Sequence, residues 1–266
     1  MKKTIITITI LLELFLLLYP KEVIIEFRNT INICLYSLTP TMFFSILFSY
    51  FISYNLDRNI YSIILISILS GYPNNITDNE YLNYVTNFVN PIFFIGTVGS
   101  IYLNNIKFTF IILITHYISN FIMIFLFKNK IKLNYKKSNI SITNFYSKSL
   151  NNTIKKLVII VSNLLFISIL VTLLKLTLPF NNTINSFILG LLEFSKGIYE
   201  INLCDINLFF KGLLILIVIT FGSISIHFQI ISINNKIKYI KFLKYRILNV
   251  FISVIIYFFI MLFYKF

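Results

Sequence analysis

Nine acids, two histidines and two cysteines are spread over 266 residues, and those inside apolar stretches are the ones whose chemistry matters. Ionisable groups at membrane depth are expensive and usually line solute or ion pathways. In the second half the run Gly190-Leu191-Leu192-Glu193-Phe194-Ser195-Lys196-Gly197 places Glu193 and Lys196 three apart on a short apolar segment. That spacing lets them pair on one helix face and share the cost of burial. Further on, Phe221-Gly222-Ser223-Ile224-Ser225-Ile226-His227-Phe228-Gln229 sets His227 and Gln229 either side of Phe228, just after a Gly-Ser-x-Ser interruption that can unwind a helix. A lone histidine in such a place is more often an interhelical hydrogen-bond partner than a proton carrier.

The first half offers Ser70-Gly71-Tyr72-Pro73-Asn74-Asn75, then Asn87, Asn90-Pro91 and Ile95-Gly96-Thr97-Val98-Gly99. Pro91 removes a backbone donor within an apolar span, and the glycines permit a turn or a close backbone approach. Broken backbone at membrane depth survives only where protein or a water-filled cavity surrounds it. The expected solute-binding set is therefore Asn74, Asn75, Asn87, Asn90, Glu193, Lys196, Ser225, His227 and Gln229, with Gly71, Pro73, Pro91, Gly96 and Gly222 as helix breaks. The alternative is a proline kink with small-residue packing, Gly96 and Gly99 letting helices touch. His116 has no polar motif around it and reads as structural.

No G-x-S-x-G, H-E-x-x-H or P-loop occurs, so no enzyme is indicated. Glu22, Glu26, Asp57, Asp78 and Glu80 lie in or beside expected loops, which disfavours a paired-carboxylate site. Cys34 and Cys204 lack any metal or disulfide spacing and read as free thiols. Neither a metal nor a cofactor is expected.

Composition dictates the frame that must hold these residues. With 58% hydrophobic and 12% charged residues and a mean hydropathy of +0.85, the chain reads as an all-α polytopic membrane protein with the lipid bilayer as its partner. The net charge of +14 falls in loops rather than on a domain face, so it reports topology and not nucleic acid. Apolar segments cover 4–18, 31–52, 60–71, 81–103, 108–127, 157–178, 184–198, 208–233 and 247–263. Residues 1–19 read as a retained N-terminal transmembrane helix, because Tyr19-Pro20-Lys21-Glu22 offers no small-residue cleavage site. The segments 60–71 and 184–198 are too short to span and read as re-entrant.

Loop 128–156 carries eight lysines and no acid, and 235–246 carries Lys236, Lys238, Lys241, Lys244 and Arg246 and no acid. Both belong on the cytoplasmic side. That holds only if the two short segments do not cross, and the chain then divides into 31–127 and 157–263 with the same order of elements in opposite orientation. Such an inverted-topology repeat, with solute bound where broken helices meet, is characteristic of secondary transporters.

Four of these motifs resemble the YlbJ-type sporulation integral membrane proteins, which carry nucleoside-recognition (Gate) domains. The family's G-Y-P turn, P-L-F-I-x-G-x-V-G, G-L-L-E and F-G-G-L-S-x-H-x-Q appear here, in order, as Gly71 to Pro73, Pro91 to Gly99, Gly190 to Glu193 and Phe221 to Gln229. Ser223 replaces the second glycine of the last motif, Asn87 precedes Phe88 in place of a second asparagine, and Asn74-Asn75 follows the G-Y-P turn in place of small residues. The resemblance implies a fold similar to the concentrative nucleoside transporters. It also implies a role in endospore formation, moving dipicolinate across the outer forespore membrane. A small anionic aromatic solute is then the expected partner. A nucleoside, or a non-transporting scaffold of the spore envelope, is the competing reading, and the sequence leaves the coupling ion, the oligomeric state and the choice between cell membrane and forespore membrane open.

Overall fold

The computed structural model describes residues 2–56, 59–72, 80–131, 142–177, 182–234 and 237–264. Among these the chain is helical with no strand. A first helix, α1 (Lys2–Leu18), runs into α2 (Pro20–Ile33), where Pro20 takes the first-turn position that needs no backbone donor. A π-helical turn, Cys34–Leu38, joins α2 to α3 (Thr39–Asn55), so that 20–55 forms one rod. At 1.5 Å per residue, 36 residues reach about 54 Å, well beyond a hydrocarbon core. The sequence places Glu22 and Glu26 in a loop before a span at 31; in the fold both lie on this rod.

Next come α4 (Ile60–Ser70), capped reciprocally by Asn59 and Ser62, and α5 (Glu80–Val85). Residues 86–90 belong to no regular element. The helix then restarts as α6 (Pro91–Phe93) and continues as a π-helical run, Phe94–Tyr102, before α7 (Ile106–Phe127). The second half holds α8 (Ile142–Thr177), α9 (Asn182–Leu192), α10 (Phe194–Leu203), α11 (Leu208–Phe221), α12 (Ile224–Ile233) and α13 (Tyr239–Phe263). The basic segment 128–156 is only partly a loop, because α8 begins at Ile142 and carries Lys148, Lys155 and Lys156 on a helix of 36 residues.

Five of these stretches are long and apolar enough to cross a membrane: Pro20–Asn55, Ile106–Lys130, Asn144–Thr177, Leu208–Ile233 and Tyr239–Phe263. The bundle encloses polar side chains among its apolar core and exposes many large apolar ones. On α13 the buried residues are Phe242, Arg246, Asn249, Ser253, Tyr257 and Met261, while Phe251, Ile255, Phe259 and Leu262 are exposed. A helix in water would be arranged the other way; this pattern places hydrocarbon around the bundle. The chain is an integral, multi-pass membrane protein.

The helix ends sort into two groups. At one end Tyr54 accepts a hydrogen bond from Asn152, Ile52 and Ile131 pack on the Ile63, Ile66, Leu82 cluster, Lys130 sits over the Tyr81 ring, and Tyr245 stacks on Tyr84. At the other end Asn202 donates to the Tyr102 carbonyl, Lys175 reaches Glu26 and Glu200, and Phe108 meets Tyr264. The described parts of both basic segments therefore share one end.

α9 and α10 form a tight antiparallel hairpin about Glu193. A Cβ on Gly197 would lie 1.9 Å from the Gly190 Cα, so no other residue fits there. Toward the open end the Cys204 thiol meets the Ser186 hydroxyl at 3.3 Å.

Candidate functional site

Two chain interruptions meet in the core. The first is the irregular segment 86–90, whose Val89 amide donates to His116 Nε2 at 3.2 Å. The second is the break between α11 and α12, where Gly222 ends α11 at φ +80° and Ser223 is held at φ +24°. A backbone N–H can only donate, so His116 Nε2 carries no proton and its neutral ring donates from Nδ1 to Thr220 Oγ1 at 3.1 Å. One histidine, buried throughout, thus ties one break to the other. The Tyr72 hydroxyl, just after α4, also reaches α11, donating to the Ile219 carbonyl at 3.3 Å.

Two cations read as loop charges in the sequence are buried here instead. Arg246 is 1% exposed; its guanidinium donates to the carbonyls of Thr220 and, at 3.3 Å, Phe221 at the broken end of α11. Lys156, 3% exposed, donates from Nζ to the Ser70 carbonyl at 3.1 Å, the last residue of α4. Each satisfies carbonyls that a helix end leaves without partners, at the negative end of the helix dipole. Among the described residues no carboxylate pairs with either, and one Arg246 terminal nitrogen, Nη1, has no partner.

Asn90 positions the first break. Its side-chain carbonyl accepts from the Phe93 amide at 3.0 Å, capping the helix that restarts at Pro91, and its amide donates to the Leu69 carbonyl at 2.8 Å. Asn90 and Gln229 line one small void together with Tyr72, Val89, Phe93 and Phe194. Asn87 turns away, donating at 2.5 Å to the Asn83 carbonyl. Ser225 meets Ser223 at 2.9 Å. His227 Nε2 donates to the Phe221 carbonyl at 3.1 Å and Nδ1 lies 3.3 Å from the Tyr239 hydroxyl, in a packed position outside the void. Asn74, Asn75 and Pro73 lie outside the described residues. Gly71 closes α4 with φ +60°, Pro91 starts a helix, and Gly96 lies inside the continuous π-helical run without interrupting it.

The pair expected between Glu193 and Lys196 does not form. Glu193 is the residue before α10, and its carboxylate accepts from the Ser195 and Lys196 amides at 3.1 and 2.7 Å and from the Ser195 hydroxyl at 2.7 Å. Backbone donors at a helix start hold a carboxylate more closely than a side chain one turn along. Lys196 reaches across to Glu26 and Thr30 on α2 instead. Lys175 contacts the same Glu26 and Glu200, both at 3.4 Å. These residues line a cavity of about 450 Å³ at the end opposite the basic segments, with Asn29, Asn32, Tyr36, Tyr102 and Tyr199 around them. Sequence reading missed this cavity because Glu26 sits in a polar helix start; the one usable signal was that Lys196, inside an apolar stretch, needs an acid.

Fold and site together define a multi-pass helical membrane protein with interrupted helices meeting in a polar core. Comparison with models of protein families, with curated proteins and with solved structures finds no match for this chain.

Proposed function

We propose that the protein is a membrane transporter of a small anionic aromatic solute, built as an inverted-topology repeat in which α4 and the α9–α10 hairpin are the re-entrant segments. The observation that carries this reading is the meeting of the 86–90 and 222–223 breaks beside two buried cations, Arg246 and Lys156, for which no carboxylate partner is found among the described residues. Helix-end carbonyls carry only partial charge, so two full positive charges held inside the bundle suit a pathway for an anion. The order of elements supports the repeat. Each half has a long helix, a short element (α4 in the first, the α9–α10 hairpin in the second), an interrupted span and a further long helix, with the described parts of both basic segments at one end.

The resemblance to the YlbJ-type proteins narrows the solute to dipicolinate and the setting to the outer forespore membrane. A flat dianion passing between the breaks would meet the Asn90 and Gln229 side chains and the Tyr72 and Phe194 rings that line the void. A spore-forming host lacking the protein is expected to begin sporulation and make spores poor in dipicolinate. Spores with normal dipicolinate and a defective coat would instead favour a scaffold.

A further inference from the structure

The geometry points to the 450 Å³ cavity as a vestibule of the solute path in which Lys196 binds a planar carboxylate by exchanging Glu26 for it. This rests on the transport reading and adds to it a second binding position with its chemistry. The cavity and the inner void abut. Ser37 lines the cavity while its neighbour Leu38 lines the void, and Lys196 lines the cavity while Phe194, two residues earlier, lines the void. The dividing wall is the π-helical turn Cys34–Leu38 and the tip of the α9–α10 hairpin. Local departures to π-helix are common at functional sites, because they turn side chains out of the regular helical register.

Charge selects the ligand. Two ammonium groups, the buried Lys196 and the more exposed Lys175, converge on one carboxylate, Glu26. Nearer the rim Lys175, its side chain 39% exposed, also touches Glu200, 32% exposed, so the inner cation is Lys196, 9% exposed. A carboxylate that takes the place of Glu26 meets Lys196, which the Thr30 hydroxyl holds from behind. Above it Tyr102 and Tyr199 stand edge to face at 5.3 Å, offering ring faces to a flat solute. An amine would have to displace a lysine from Glu26 and bring a third ammonium beside the two already there.

The sequence contains no tryptophan, so Tyr36→Trp in the purified full-length chain supplies a single fluorescent reporter on the cavity wall. The probes are pyridine-2,6-dicarboxylate and its uncharged dicarboxamide. Saturable quenching by the dicarboxylate, weaker by about tenfold or more with the dicarboxamide, is expected, since one charge-assisted hydrogen bond commands a factor of that size. Adding Glu26→Gln releases Lys196 and should tighten dicarboxylate binding several-fold, while Lys196→Gln should abolish the preference for charge. Should the Lys196 variant fail to fold, Glu26→Gln decides alone, and unchanged or weaker binding overturns the inference. Equal quenching by both probes also overturns it. Uptake into proteoliposomes without carboxylate binding in the cavity would remove the vestibule and leave transport standing; binding without uptake would support the site and remove transport.

Discussion

Asn90 gives the sharpest quantitative test of how the first break is held. Its side chain is 2% exposed and makes two hydrogen bonds of different kind, one capping the Phe93 amide and one supporting the Leu69 carbonyl near the end of α4. Asn90→Ala removes both. Losing an N-cap costs about 1 kcal/mol, and a buried carbonyl left unpaired costs about 1–3 kcal/mol, so the sum is about 2–4 kcal/mol. For a chain of this size that corresponds to a fall in melting temperature of about 5–15 °C, readable by thermal unfolding of the purified protein in detergent. Asn90→Ser keeps a capping oxygen and loses only the Leu69 contact, and should fall between wild type and Asn90→Ala. Asn90→Asp keeps the cap but sets a carboxylate oxygen against the Leu69 carbonyl, and should be the least stable of the three. An alanine variant that melts within about 2 °C of wild type, or an aspartate variant more stable than alanine, would refute the two-bond account.

Gly197→Ala should open the α9–α10 hairpin, since its Cβ would strike the Gly190 backbone; a loss of about 1–3 kcal/mol is expected in the same melting assay. With Cys34 and Cys204 replaced by serine, single cysteines at Lys148 and Lys241 should label from one side of the membrane and one at Asp205 from the other; Lys148 and Lys241 on opposite sides would dismantle the inverted repeat. Arg246→Gln should abolish solute flux while leaving the protein folded. It gives up part of two hydrogen bonds worth about 1.5–3 kcal/mol each and at the same time removes a buried charge whose desolvation costs several kcal/mol. An Arg246→Gln protein that transports normally would return the arginine to a capping role.

Helix positions were legible because apolar runs of spanning length have few alternatives in a bilayer, and the interruptions at Gly71, Pro91 and Gly222 announced where regular backbone stops. The polar core was less legible. Lys156 and Arg246 stand at the edges of lysine-rich segments, and a charge count cannot separate the residue that turns inward from neighbours that stay in water. What distinguishes them is register: Arg246 falls on the same face of α13 as Asn249, Ser253 and Tyr257, and that face is the buried one. The expected Glu193–Lys196 pair fails because i to i+3 spacing assumes that both residues lie within the helix. Glu193 stands just before α10, where amides compete for it. Glu26 was discounted as a loop acid because the polar start of α2 hides how far that helix extends.

Uptake of labelled pyridine-2,6-dicarboxylate into proteoliposomes holding the purified full-length protein tests the central claim most directly. The account predicts accumulation above that of empty liposomes, saturable with concentration and lost in Arg246→Gln. Uptake no faster than in empty liposomes, across the concentrations at which a solute of this kind would be carried, would contradict it.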